Sequence, residues 1–164
     1  VALLKGLEAS VIGRIIDNRI TLAAGGRTLV ATMNAAGAWT ALVSGGFLSF
    51  TRPIAAMLGF RETRANTLIE EDGRLAGTVA EPILGREAKA DALNDICTRM
   101  GITPSEAIAV GDGANDLDML ALAGSGVALH AKPAVAAQAR IRIDHGDLTA
   151  LLYMQGYRRD EFAG

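Results

Sequence analysis

The sequence predicts an α/β domain built on a parallel sheet. Three observations predict it. Strand-like and helix-like stretches alternate from Trp39 to the end of the chain, an order that yields parallel strands joined by right-handed crossovers. Two short apolar runs, Trp39–Val43 and Ala107–Val110, have the character of strands covered on both faces. Thirty alanines and 19 glycines stand against only 4% aromatic residues, so close helix–strand packing must replace bulky aromatic packing. The 164 residues are enough for one domain with a real core.

The elements follow in order. Val11, Ile12, Ile15, Ile16 and Ile20 recur at helical spacing, with Asp17 and Arg19 on a polar side. The chain's beginning reads as helical until composition changes near Ala23–Gly26. Arg27 to Ala36 is a second helix, stopped by Gly37. After the Trp39–Val43 strand, Ser44-Gly45-Gly46 breaks the pattern and Phe47–Gly59 returns to helical period. Thr67–Glu70 and Leu75–Val79 flank Asp72-Gly73, a strong hairpin signal. Glu87–Met100 is helical, with Ala90, Leu93, Ile96, Cys97 and Met100 on one face. Ala107–Val110 is a strand, followed by a turn over Gly111–Asn115 and a helix from Asp116 to Ala123. Val127–Leu129 and Ile141–Ile143 are further strands, with Ala134–Ala139 helical between them. Asp147–Gln155 closes the chain as a helix capped by Asp147.

Composition excludes several function classes. Lys+Arg (16) against Asp+Glu (18) leaves a net charge of −2, which argues against a nucleic-acid partner. The longest apolar runs fall far short of a membrane span. The single cysteine, Cys97, cannot form an internal disulfide, and a reducing cytoplasmic setting follows. No basic region followed by an apolar stretch opens the chain, so no secretory signal is visible. The first residue is Val1 rather than Met.

Ligands of open parallel sheets bind beyond the carboxyl ends of the strands, and two segments place small polar residues there. In Leu42-Val43-Ser44-Gly45-Gly46-Phe47, a hydroxyl and two glycines leave backbone N–H groups free to face an anion. The plainer alternative is a strand-to-helix turn in which Ser44 caps the helix. In Gly111-Asp112-Gly113-Ala114-Asn115-Asp116, two carboxylates and an amide follow a strand. Such a group needs a cation, metal or side chain, to offset its repulsion. Its hard oxygen ligands suit Mg²⁺. Here the alternative is an Asp-Gly turn with Asp116 capping the next helix. Lys89 is the third element: it stands near a helix start, where the macrodipole disfavours a cation, and a solvated surface lysine is its plain reading.

Together, Leu42–Phe47, Lys89 and Gly111–Asp116 resemble, in order and context, motifs two, three and four of the haloacid dehalogenase superfamily. Ala65-Asn66, Asp72-Gly73-Arg74-Leu75-Ala76-Gly77, Ala131-Lys132-Pro133 and Leu4-Lys5-Gly6-Leu7 extend the resemblance to the superfamily's phosphoserine-hydrolysing branch. The resemblance implies a Rossmannoid parallel sheet flanked by helices, with a β-hairpin insertion, a remnant of a helical cap over residues 1–24 and an incomplete core over 25–164. It implies Mg²⁺-dependent hydrolysis of a small phosphomonoester, phosphoserine, to serine and phosphate through an aspartyl-phosphate, the last step of serine synthesis. Ser44 and Gly45 would hold phosphate oxygens, and Lys89 would steady the nucleophile and the phosphoryl charge. Asp112 would ligate Mg²⁺, while Asn115 and Asp116 would orient the substrate phosphate or the metal's surroundings.

One departure is large. Members carry an Asp-x-Asp-x-Thr motif on the first strand, supplying the nucleophile and the general acid, and these 164 residues contain none. The chain therefore reads as a C-terminal part of such an enzyme, inactive alone and missing a central strand between those ending at Ser44 and Gly111. A rearranged sheet, an intertwined homo-oligomer or a retained N-terminal fragment is the expected remedy, and the apolar stripe of Val11–Ile20 is expected to seek a neighbouring subunit or become mobile. Two alternatives stand beside this reading: a phosphatase or phosphotransferase of the superfamily acting on another small phosphomonoester, and a non-catalytic phosphate-binding or oligomerisation module. Cys97, His130, His145 and Trp39 read as structural, and Arg158–Glu161 as a solvated tail.

Overall fold

The structure, a computed structural model, describes residues 1–164. They form two units: Val1–Ile83 with Leu151–Gly164, and Leu84–Ala150. The first contains α1 (Val11–Arg19), α2 (Gly26–Ala35), β1 (Ala41–Phe47), α3 (Leu48–Leu58), β2 (Glu62–Asn66), β3 (Leu68–Glu71) and β4 (Arg74–Val79). β1 and β2 run parallel, pairing Ala41 with Glu62 and Val43 with Arg64. β2 had no signal in the sequence, and β1 runs on through Ser44-Gly45-Gly46, where the apolar pattern stops. β1 is not the strand covered on both faces that its apolar run predicts: its residues are half-buried or exposed.

β3 and β4 form the expected hairpin. Asp72 and Gly73 both take positive φ, 49° and 74°, the conformation of a type I′ turn that matches strand twist. The chain's beginning departs from the helical reading. After a single turn at Ala2–Leu4, the chain passes beside β4 through one isolated antiparallel bridge, Glu8 opposite Arg74: Gly6 N–H donates to Leu75 O at 2.8 Å, and Leu75 N–H donates to Leu7 O at 2.9 Å. The core here joins Ile12 of α1 to Leu68 and Leu75, with Ile16, Phe47, Phe50 and Val79 packed around them. The α1 stripe is thus partly covered from within the chain, and that part of it needs no neighbouring subunit.

The second unit holds α4 (Glu87–Met100), β5 (Ile108–Gly111), α5 (Leu117–Leu122), β6 (Ser125–Leu129), α6 (Pro133–Ala136) and β7 (Ile141–Ile143). Its strands lie in the order β5-β6-β7, all parallel, with Val110 opposite Val127 and Leu129 opposite Ile143. β6 is the covered strand: Val127 is 0% and Ala128 1% exposed. Ala109, Leu120, Ala123 and Val135 form the core, flanked by Leu93, Leu117 and Met119. α5 can lie this close to β6 because position 126 is glycine.

The α/β Rossmannoid architecture is therefore present in two sheet pieces. β1 pairs only with β2, and β5 only with β6, so each leaves one strand edge without a partner. At the second of these edges Ile108 is 37% exposed. The closing helix α7 (Ala150–Met154) starts later than expected. Asp147 Oδ1 instead accepts from the N–H and hydroxyl of Thr149, which holds its carboxyl below the usual carboxylate range. The last residues are more than a solvated tail. Phe162 packs on Tyr153 with ring centroids 5.1 Å apart, and Ala163 N–H donates to Thr32 Oγ1 at 2.9 Å, while Arg158, Arg159, Asp160 and Glu161 are all exposed, as expected of a solvated stretch. No helix is long and apolar enough to cross a membrane.

Candidate active site

Local sequence builds the turn after β5. Gly111 ends the strand, and Ala114–Asp116 make one tight helical turn before α5. That turn folds the Asp116 side chain back beneath it, where it is buried. Its Oδ2 accepts from Asp112 N–H at 3.1 Å and from Gly113 N–H at 2.9 Å. Its Oδ1 accepts from Lys89 Nζ. A Cβ on Gly111 would lie 2.4 Å from Asp116 Cγ, so the missing side chain is what admits the carboxylate. Asp116 therefore does not cap α5 forward, as the plain reading had it, but braces the turn backward.

Lys89 sits in the first turn of α4, 13% exposed at its side chain against 4% for Asp116. It is not a solvated surface lysine. The ion pair explains why a cation is tolerated at an α-helix start, since Asp116 supplies the compensating charge. Nearby, Arg86 grips Asp118 through two bonds of 2.7 Å, tying the start of α4 to α5; this pair holds the Asp118 carboxyl below its usual range. Nothing local signalled it, because 32 residues separate the partners. Above the buried pair the side chains of Asp112 and Asn115 are exposed and accept no hydrogen bond from the protein. A free carboxylate at a strand's carboxyl end fits one ligand place of a hydrated Mg²⁺, which commonly takes one or two carboxylates and fills the rest with water and phosphate. No three His, Cys, Asp or Glu side chains gather to hold a metal ion, so a bound cation would rely on those other ligands.

The turn in the first unit is built differently. Ser44, Gly45 and Gly46 stand opposite the single residue Ala65, because Val43 pairs with Arg64 and Phe47 with Asn66. Ser44 is not a helix cap: α3 begins after Phe47 without a side-chain cap, and Ser44 Oγ instead accepts from Gly46 N–H at 3.0 Å. Buried Asn66 donates from Nδ2 to Gly45 O at 3.0 Å. The family resemblance includes Ala65-Asn66 but assigns Asn66 no role. At the other end of β1, Trp39 Nε1 donates to Glu62 Oε2 at 3.0 Å and carries Arg61 over its ring, which confirms a structural tryptophan.

The family model for haloacid dehalogenase-like hydrolases matches residues 1–121. The chain belongs to that family. Among its haloacid dehalogenase-like relatives, a phosphoserine phosphatase of Streptomyces coelicolor is 42% identical over 98% of this chain and 39% of its own length. The solved unliganded structure of a probable phosphoserine phosphatase from Vibrio cholerae superposes with a TM-score of 0.90 at 33% identity, over 94% of this chain and 48% of that one. A structure titled a phospho-aspartyl intermediate analogue of phosphoserine phosphatase gives a TM-score of 0.86 at 37% identity, over 93% of this chain and 73% of that one. The chain thus spans about two fifths of the length of the Streptomyces relative.

Proposed function

We propose that these residues carry the phosphate-binding and metal-side part of a haloacid dehalogenase-like phosphomonoesterase that converts phosphoserine to serine and phosphate. The observation that supports it most is the buried Lys89–Asp116 pair beneath the exposed, unengaged Asp112 carboxylate, at the carboxyl end of a parallel strand. A buried pair with a free acid above it holds one positive charge in a fixed place and leaves one carboxylate available. Transfer of a phosphoryl group through a loose transition state needs positioning and spread positive charge more than covalent chemistry.

Each residue has a role in that reading. Asp112 would ligate Mg²⁺, which when bound offsets charge on the phosphoryl oxygens. Ser44 engages its lone pair with Gly46 N–H, which leaves the hydroxyl proton to donate to a phosphate oxygen beside the exposed Gly45. Lys89 presents its ammonium to the reacting group, with Asp116 fixing it, and Asn115 orients the substrate phosphate. Residues 1–24 belong to a helical cap in this reading and residues 25–164 to the core. The nucleophile and general acid come from an Asp-x-Asp-x-Thr segment, which these 164 residues do not contain.

The substrate is tested by phosphate release from a panel of small phosphomonoesters, using the protein together with such a segment and Mg²⁺. Phosphoserine is expected to show the highest kcat/KM. A clear preference for a sugar phosphate or another phosphomonoester would overturn the substrate while leaving the reaction class standing.

A further inference from the structure

We infer that Asn66 is a positioning residue for phosphate binding: its buried amide clamps the Gly45–Gly46 peptide and so sets the direction in which Ser44 donates. The inference rests on reading the Ser44–Gly46 turn as a phosphate cradle. Asn66 ends β2 at 6% exposure, where a polar side chain is retained at a cost unless its bonds are used. The group it faces is the Gly45 carbonyl, 3.0 Å from Nδ2. A carbonyl can only accept, so the facing group must be a donor; an amide serves and a carboxylate does not.

The same peptide plane carries the Gly46 N–H, which donates to Ser44 Oγ at 3.0 Å. One rigid plane is therefore held at both ends, by β2 on one side and by Ser44 on the other. Flanked by two glycines, that plane has little intrinsic barrier to turning over. With Asn66 in place it cannot turn, the Gly46 N–H stays on the Ser44 oxygen, and the hydroxyl proton is directed away from the turn. Three residues opposite one at this point of the sheet make the turn long enough to need such a hold.

The test measures inorganic phosphate affinity in the full chain with Mg²⁺ by ³¹P NMR, and exchange of the Gly46 amide proton by ¹H–¹⁵N NMR. Asn66→Ala is expected to weaken phosphate about tenfold, as loss of one positioning hydrogen bond would, and to speed Gly46 exchange. Asn66→Asp, which keeps the shape and removes the donor, is the second variant and carries the same expectation should the alanine variant fail to fold. Asn34→Ala is the control, because Asn34 Nδ2 also donates to a carbonyl, Gly59 O at 2.7 Å, away from the turn. It should lower thermal stability and leave both readouts unchanged. Wild-type affinity and Gly46 exchange in the Asn66 variants, or equal weakening by Asn34→Ala, overturns the inference alone. Absence of phosphate binding by the wild-type chain overturns the cradle reading and the inference with it.

Discussion

Replacing Asp116 by alanine is expected to destabilise the Leu84–Ala150 unit by about 3–5 kcal/mol, the range for removing one partner of a buried ion pair. Three donors lose their acceptor at once: the Lys89 ammonium and the Asp112 and Gly113 N–H groups. The lysine side chain, 13% exposed, cannot recover its hydration without leaving its place. Asp116→Asn does not repair this, because its amide nitrogen must face one of those donors. The double variant Lys89→Met with Asp116→Asn removes the stranded charge and should lie closer to wild type than Asp116→Ala. Urea unfolding midpoints check the order. An Asp116→Ala midpoint equal to wild type would show that the pair holds nothing in place.

Gly126→Ala is expected to be strongly disruptive for the addition of a single methyl group. Its Cβ would lie 1.9 Å from Leu120 O and 2.6 Å from the carbonyl carbon, so backbone rather than a flexible side chain must yield. α5 would have to move off β6, and with it Leu120 and the turn that carries Asp116. The loss should reach roughly 3 kcal/mol, at the upper end for overpacking. It should appear as a lowered urea midpoint with reduced amide protection across β5, β6 and α5. An unchanged midpoint would mean that α5 and β6 are not packed as described.

Much of the fold was legible because its signals are local. Asp72-Gly73 states a turn conformation in two residues, and Glu87–Met100 carries its helical period from end to end. The strand β2 was invisible for the opposite reason. Glu-Thr-Arg-Ala-Asn has no apolar alternation, and what makes it a strand is β1 beside it and partners such as Trp39 on Glu62. The chain's beginning departs from its helical reading: Leu3, Leu4, Leu7 and Val11 recur at helical spacing, but β4 offers a backbone edge that only the folded chain reveals. In the candidate site, residue types and order were readable from the motifs, but bonding was not. Lys89 meets Asp116 across 27 residues and Asn66 meets Gly45 across 21, and no local pattern encodes such meetings.

The most direct test is a Mg²⁺-dependent phosphate-release assay on phosphoserine, comparing the 164-residue chain alone with the chain supplied with an Asp-x-Asp-x-Thr segment. The expected result is no release by the chain alone, release when the segment is present, and loss again with Asp112→Asn or Lys89→Ala. Equal release by the rigorously purified chain alone, or release that survives both substitutions, would contradict the assignment of these residues to a phosphomonoesterase centre completed from outside them.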